Sequence, residues 1–169
     1  SQPDNDMAVR ILITGGTIDK DYDKIHGQLV LSRSHLSEIL EQARCRVDTV
    51  METFMLKDSL NMDDQDREGI LKKCQEFSEN KIVITHGTDT IVETAKLLAE
   101  NIPNKTIVLF GAMIPYSFGN SDALFNLGTA MAAVQISAPG VYVAMNGIVF
   151  PHDNVVKNRE EGHFEHLNP

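Results

Sequence analysis

Lys81-Ile82-Val83-Ile84-Thr85-His86-Gly87-Thr88-Asp89-Thr90 decides the fold. Ile82, Val83, Ile84 and Thr85 form an unbroken β-branched run, the pattern of a strand covered on both faces. Gly87 ends it and admits backbone angles that other residues resist. Thr90 and Glu93 stand three apart before an apolar periodicity, the signature of a capped helix start. Hydroxyls and one carboxylate therefore collect where a strand ends and a helix begins. In open parallel α/β sheets that edge is where ligands bind.

The same order recurs on both sides. Residues 9–13 read as a strand ending in Thr14-Gly15-Gly16-Thr17. Residues 106–110 read as another, ending in Gly111-Ala112, and residues 141–145 as a further strand. Short strands are expected at 47–51 and 54–56. Between them lie helical periodicities: Leu36, Ile39, Leu40 and Ala43 after a Ser34 cap; Ile70, Leu71, Cys74 and Phe77 after a cap at Asp63 or Asp64; and Leu124, Leu127, Ala130, Met131 and Val134 after a cap at Ser121 or Asp122. Strand, small-residue turn, helix predicts right-handed βαβ units: an α/β fold with an open parallel sheet and helices on both faces, a Rossmann-like three-layer arrangement. Parallel strands point the same way, so the glycine turns at 15–16, 87 and 111 share one sheet edge. One domain is expected over residues 9–160. Residues 1–8 read as a disordered N-terminal segment and 161–169 as a solvated C-terminal tail. Residues 19–31 show no period and read as a loop of a length that is usually functional.

Bulk properties narrow the function. The chain has 169 residues and a formal net charge of −9, with no basic run, which argues against a nucleic-acid partner. No apolar stretch approaches a membrane span. Cys45 and Cys74 match no metal or redox spacing and fall in apolar periodic segments, as buried thiols of a reducing compartment do. The cytoplasm is the expected location.

Several patterns have plainer explanations. Thr-Gly-Gly-Thr is neither a P-loop nor a dinucleotide fingerprint, and by spacing alone it is a structural turn. His163-x-x-His166 has helical ligand spacing, but a solvated tail accounts for it better. Asp19-Lys-Asp21-Tyr-Asp23 opens like a calcium loop, yet Lys24 stands where its Gly belongs and Val30 where its Glu belongs. No metal and no cofactor is expected. Thr88, Asp89 and Thr90 exceed what one helix cap needs, and a Thr hydroxyl becomes a nucleophile once a base takes its proton.

Thr14-Gly15-Gly16-Thr17-Ile18 and Ile84-Thr85-His86-Gly87-Thr88-Asp89-Thr90 together resemble the two signature motifs of the bacterial-type L-asparaginase/glutaminase family. Asp58-Ser59-Leu60-Asn61-Met62, Gly111-Ala112-Met113-Ile114-Pro115 and Asp122-x-x-Phe125-Asn126-Leu127 are similar to weaker motifs of that family, in the same order. The resemblance covers residues 9 to about 160, the family's N-terminal domain. It implies a small amino-acid or amide substrate, hydrolysed at its side-chain amide through a Thr nucleophile. Thr17 would be that nucleophile, and Thr88, Asp89 and Lys157 a second triad. Ser59 and Asp89 would hold the substrate's α-carboxylate and α-amino groups, and Ala112 would give backbone contact to the amide. Gly16 and Gly87 would stand among the substrate-binding positions. Tyr22 is the nearest match to the family's lid tyrosine. Leu60, Ile114 and Ala123 stand where the family has Gln, Arg and Gly, and Asp19 puts a carboxylate beside the nucleophile turn, placed to repel an acidic product or to pair with a substrate cation. The expected molecule is a stand-alone N-terminal domain with amidohydrolase activity, a homo-oligomer of two or more copies. The alternative is a non-catalytic amino-acid-binding or regulatory protein that keeps the pocket. The mass of the native protein separates a stand-alone domain from a fragment of a two-domain enzyme.

Overall fold

The computed structural model describes residues 7–169. The N-terminal segment expected at 1–8 therefore falls, through residue 6, outside the described residues, and Ala8 is already buried. The centre is a six-stranded sheet. β1 (Val9–Gly15) lies between β4 (Thr49–Lys57) and β5 (Lys81–Thr85); β6 (Thr106–Phe110), β7 (Gly140–Met145) and β8 (Ile148–Pro151) follow outward from β5. The first five of these pair in parallel, and β8 returns antiparallel on β7.

Alternation along the strands assigns each side chain to one of two apolar layers. Leu12, Ile82, Ile84, Ile107, Leu109, Val141 and Val143 face α2 (Asp64–Glu76) and α3 (Ile91–Asn101) through Ile70, Leu71, Ile91, Ala95 and Leu98. Val9, Ile11, Ile13, Val83, Val108 and Phe110 face α1 (Leu36–Gln42) and α4 (Ala123–Ile136) through Leu36, Ile39, Leu127, Ala130 and Val134. The central strands are apolar on both sides because both sides are covered. Each fully buried Ile, Leu or Phe in these layers contributes about 1.5–3 kcal/mol. Cys74 is buried, which pushes its thiol up to about 12; Cys45 is half-buried, and both are free.

Four local features differ from the sequence expectation. The two strands expected at 47–51 and 54–56 are one continuous strand, β4, with its register shift against β1 lying between Ile13 and Gly15. The loop at 19–31 contains a hairpin, β2 (Asp21–Asp23) against β3 (Gln28–Val30). Asn146 and Gly147 carry φ of 57° and 77° and make the tight turn from β7 into β8. Left-handed angles at both central residues are what a two-residue hairpin loop demands. The tail expected at 161–169 is ordered in part: β10 (His163–Glu165) pairs antiparallel with β9 (Val156–Asn158), and Phe164 is buried in the core. That small ribbon brings the chain back over the edge where β1, β5 and β6 end.

Candidate active site

The site is built on backbone contact between glycine turns. A Cβ added at Gly16, whose φ is 91°, would lie 2.6 Å from the Gly87 backbone. A Cβ at Gly87 would lie 2.6 Å from Ser59 Oγ, and one at Gly111 would strike the His86 carbonyl. Four turns thus interlock with no room for a side chain between them, the close approach that glycine alone permits. Thr14 sews the first two together: its hydroxyl donates to the Thr85 carbonyl at 2.6 Å, and its N–H to Thr85 Oγ1 at 3.3 Å.

On this platform Lys157, carried by β9, reaches across to the second turn. Its Nζ donates to Thr88 Oγ1 at 2.8 Å and to Asp89 Oδ1 at 2.9 Å. Thr88 is buried, and its own O–H points toward Met113 Sδ at 3.7 Å. Arg159 grips the same aspartate twice, Nη1 to Oδ1 at 2.5 Å and Nη2 to the main-chain carbonyl at 3.1 Å. Burial pushes the Asp89 carboxyl up, but the hydrogen bonds and charges of Lys157 and Arg159 outweigh it and hold the group below the usual carboxylate range. A second ion pair flanks the first: Lys20 Nζ donates to Asp58 Oδ2 at 2.7 Å, and that bond holds the Asp58 carboxyl low.

The remaining polar groups serve the turns. His86 is fully buried, with Nδ1 2.8 Å from the Gly87 carbonyl and Nε2 2.7 Å from Thr94 Oγ1. A carbonyl only accepts, so Nδ1 carries the proton and Nε2 accepts from the Thr94 hydroxyl. Desolvation keeps the ring neutral, down to about 4. Thr90 does not cap its own helix. Its hydroxyl donates to the Ser59 carbonyl at 3.1 Å and its N–H to Ser59 Oγ at 3.2 Å, while Glu93 lies 3.5 Å from Arg67. The expected Thr90–Glu93 cap fails because Ser59, distant in sequence, competes for both groups. Asp122 likewise leaves the α4 cap to Ser121 and accepts the N–H groups of Met113 and Ile114 at 2.9–3.1 Å, clamping the turn after β6.

The structure gathers Gly16, Gly87, Thr88, Asp89, Ser59 and Lys157 at one edge. Thr17 follows Gly16 and is half-buried; its hydroxyl has no hydrogen-bond partner among the described residues. Ala112 is buried beside the clamped turn. Tyr22 is 56% exposed, and its hydroxyl lies beside Gly27 at the hairpin tip, without a hydrogen bond to Thr17, Thr88 or Lys157. Asp19 is turned inward, away from any ligand: it is fully buried and accepts the His35 N–H at 2.7 Å. It is in no position to repel a product or to pair with a substrate cation. Arg159, Lys20 and Asp122 were not anticipated as site residues. Lys157-x-Arg159 is strand spacing, which puts both cations on one face, and that was the available signal. Among the described residues, no cluster of three or more His, Cys, Asp or Glu is arranged to hold a metal ion, and no helix is long and apolar enough to cross a membrane.

The family model for the asparaginase N-terminal region matches residues 8–164. The L-asparaginase of Thermococcus kodakarensis is 38% identical over 150 residues, covering 82% of this chain and 44% of that protein. The probable periplasmic L-asparaginase of Haemophilus influenzae is 32% identical over 161 residues, 88% of this chain and 46% of that one. The solved Thermococcus kodakarensis structure superposes with a TM-score of 0.85 at 31% identity, over 96% of this chain and 52% of that one. A probable cytoplasmic L-asparaginase from Campylobacter jejuni superposes with a TM-score of 0.82 at 32% identity, over 95% and 53%. The chain thus spans about half the length of the curated relatives it matches.

Proposed function

This chain belongs to the asparaginase family through its N-terminal domain, and from that premise we propose that it is an amidohydrolase of Asn, Gln or a related small amide. Thr17 Oγ1 attacks the amide carbon, and the proton it gives up travels through the polar cluster to the departing nitrogen. Ammonia leaves, and water hydrolyses the acyl-enzyme ester. Thr88, Lys157 and Asp89 are the relay, since Lys157 Nζ bridges the Thr88 hydroxyl and the Asp89 carboxylate. That bridge is the observation that carries the proposal, because a lysine held between a hydroxyl and a carboxylate completes a hydrogen-bonded path along which a proton can pass. Ser59, whose Oγ accepts from Thr90, keeps its own proton to offer a substrate carboxylate. The free cysteines fit the reducing conditions of the cytoplasm. A homo-oligomer of two or more copies completes the proposal, and a monomer by light scattering overturns that part.

The test is ammonia release from Asn, Gln and small primary amides by the wild type, Thr17→Ala and Lys157→Met. Loss of about 10²–10⁴ in rate is expected for each variant. Equal rates in wild type and Thr17→Ala remove the nucleophile assignment. Amino-acid binding by calorimetry with no ammonia from any amide selects the non-catalytic binding protein instead.

A further inference from the structure

The turn that carries Thr17 is pinned at both ends to consecutive residues at the end of β4. Before Thr17, the Gly16 N–H donates to the Lys57 carbonyl at 2.9 Å. After it, Lys20 Nζ donates to Asp58 Oδ2 at 2.7 Å, across 38 positions of sequence. Lys20 also closes the turn, because its own N–H donates to the Thr17 carbonyl at 3.1 Å. Its carbonyl accepts the Ser117 hydroxyl at 2.8 Å, and the hairpin of β2 and β3 starts at the next residue. Asp58 has a matching double role. Its Oδ1 accepts the Leu60 N–H at 3.2 Å and so caps the turn Ser59–Asn61, in which Ser59 is fully buried. One ion pair therefore joins the turn of Thr17 to the turn of Ser59. The Lys20 side chain is only 18% exposed and Asp58 is half-buried, so the pair is shielded from the solvent screening that loosens surface ion pairs.

We propose that Lys20 is a positioning residue: through Asp58 it sets the span between Thr17 and Ser59, so that an amide whose carboxylate end is held at Ser59 presents its amide carbon to the Thr17 hydroxyl. This rests on the amidohydrolase proposal and adds to it a residue that acts through Asp58, outside the proton relay. The Thr17 hydroxyl has no partner among the described residues, so its place is set by the ends of its turn. The Gly16 pin is backbone and persists in any variant with this fold. The Lys20 pin is a side chain and can be removed. Without it, the turn is free on the side that leads into the hairpin, while the grip of Ser59 on a carboxylate stays. A displacement of about 1 Å at a reacting atom costs about 100-fold in rate, so the loss falls on kcat and not on KM.

The experiment measures kcat and KM for ammonia release from L-asparagine and L-glutamine in the wild type, Lys20→Met, Lys20→Arg, Asp58→Asn and the double variant of Lys20→Met with Asp58→Asn. Asp58→Asn keeps an oxygen for the Leu60 N–H and removes the charge. Lys20→Met is expected to lose about 10–100-fold in kcat, with KM within about threefold. Lys20→Arg, which keeps the charge, is expected to recover most of that loss. The double variant is expected to be no slower than the slower single variant, as two residues acting through one bond require. A loss carried by KM, no recovery by arginine, or additive losses overturn the proposal. If the wild type releases ammonia from neither amide, the amidohydrolase proposal falls, and hydrogen exchange decides the positioning by itself. The N–H of residue 20 is bonded to the Thr17 carbonyl and that of Thr90 to Ser59 Oγ. Both are expected to exchange about tenfold faster in Lys20→Met than in the wild type or Lys20→Arg, while Ile84 in β5 keeps its rate. Unchanged exchange at residue 20 and Thr90 overturns the proposal.

Discussion

The turn after β1 and the turn after β5 touch through Gly16 and Gly87, yet they are held in opposite ways. In the second, every polar side chain is engaged: His86 with Gly87 and Thr94, Thr88 with Lys157, Asp89 with Lys157 and Arg159, Thr90 with Ser59. In the first, Thr14 is tied to Thr85, whereas the Thr17 hydroxyl has no partner among the described residues. One turn is organised in advance and the other supplies a hydroxyl free to move. That division suits a reaction in which one group must form a bond while the charges around it stay fixed. Each prediction below attacks one side of it.

The largest effect is expected where the turns meet. Gly16→Ala adds a Cβ 2.6 Å from the Gly87 backbone at a φ of 91°, and neither strand end can yield without moving the other. Strain and overpacking together are expected to cost about 4 kcal/mol. Gly119→Ala separates the two causes. Its φ is 76°, but a Cβ there meets nothing within 4 Å, so the cost falls to about 1 kcal/mol. Denaturant midpoints of both variants measure the difference. Similar losses would mean that the turns do not depend on their contact.

His86 stabilises the second turn only while neutral. Burial lowers its pKa from 6.5 to about 4, so the folded protein binds fewer protons than the unfolded chain between those values. Stability is complete above pH 6.5 and is lost as pH falls toward 4, by about 3 kcal/mol for this group. Thermal unfolding at pH 7 and pH 4.5 is expected to show a larger drop for wild type than for His86→Gln. Equal drops would place the loss elsewhere and leave the second turn indifferent to its histidine.

What the sequence made legible follows the same division. Ile82–Val83–Ile84 and Ile107–Val108–Leu109 announce their strands because both faces are covered and no polar residue interrupts them. β2 and β3 gave no such signal, since Tyr22 and Leu29 are both exposed and the hairpin has no buried face to pattern. β8 does carry one, since Asn146-Gly147 is a two-residue hairpin loop and the apolar run Ile148-Val149-Phe150 follows it directly. At the site, resemblance to a family singles out Thr88, Asp89 and Lys157, and the fold brings them within hydrogen-bond distance. Thr90 departs from the local capping rule because Ser59 arrives only with the tertiary fold, and of the two cap candidates Ser121 and Asp122 it is Ser121 that caps, since the turn at 111–114 takes the Asp122 carboxylate. Arg159 was hidden for the same reason: its meaning depends on a ribbon whose buried residue, Phe164, lies in a stretch that is otherwise polar.

The smallest effect is expected beneath the first turn, where Asp19 is the counterpart of His86. Both are fully buried, but His86 has partners at each nitrogen, whereas Asp19 has the His35 N–H on Oδ1 and no partner for Oδ2. Burial pushes the Asp19 carboxyl above its ordinary value, against the pull of the His35 N–H and the Ser34 hydroxyl. The sign is therefore opposite to that of His86. The folded state holds this proton more tightly than the unfolded chain, so the contribution is full below 3.8 and shrinks as pH rises through the raised folded value. Wild type is expected to lose stability relative to Asp19→Asn between pH 4 and pH 7, by less than the His86 effect. His86 is present in both proteins and cancels in the difference. Denaturant titrations of the pair at the two pH values check this. A difference that does not change with pH would mean that Asp19 is paired in solution, and that the first turn rests on as complete a set of bonds as the second.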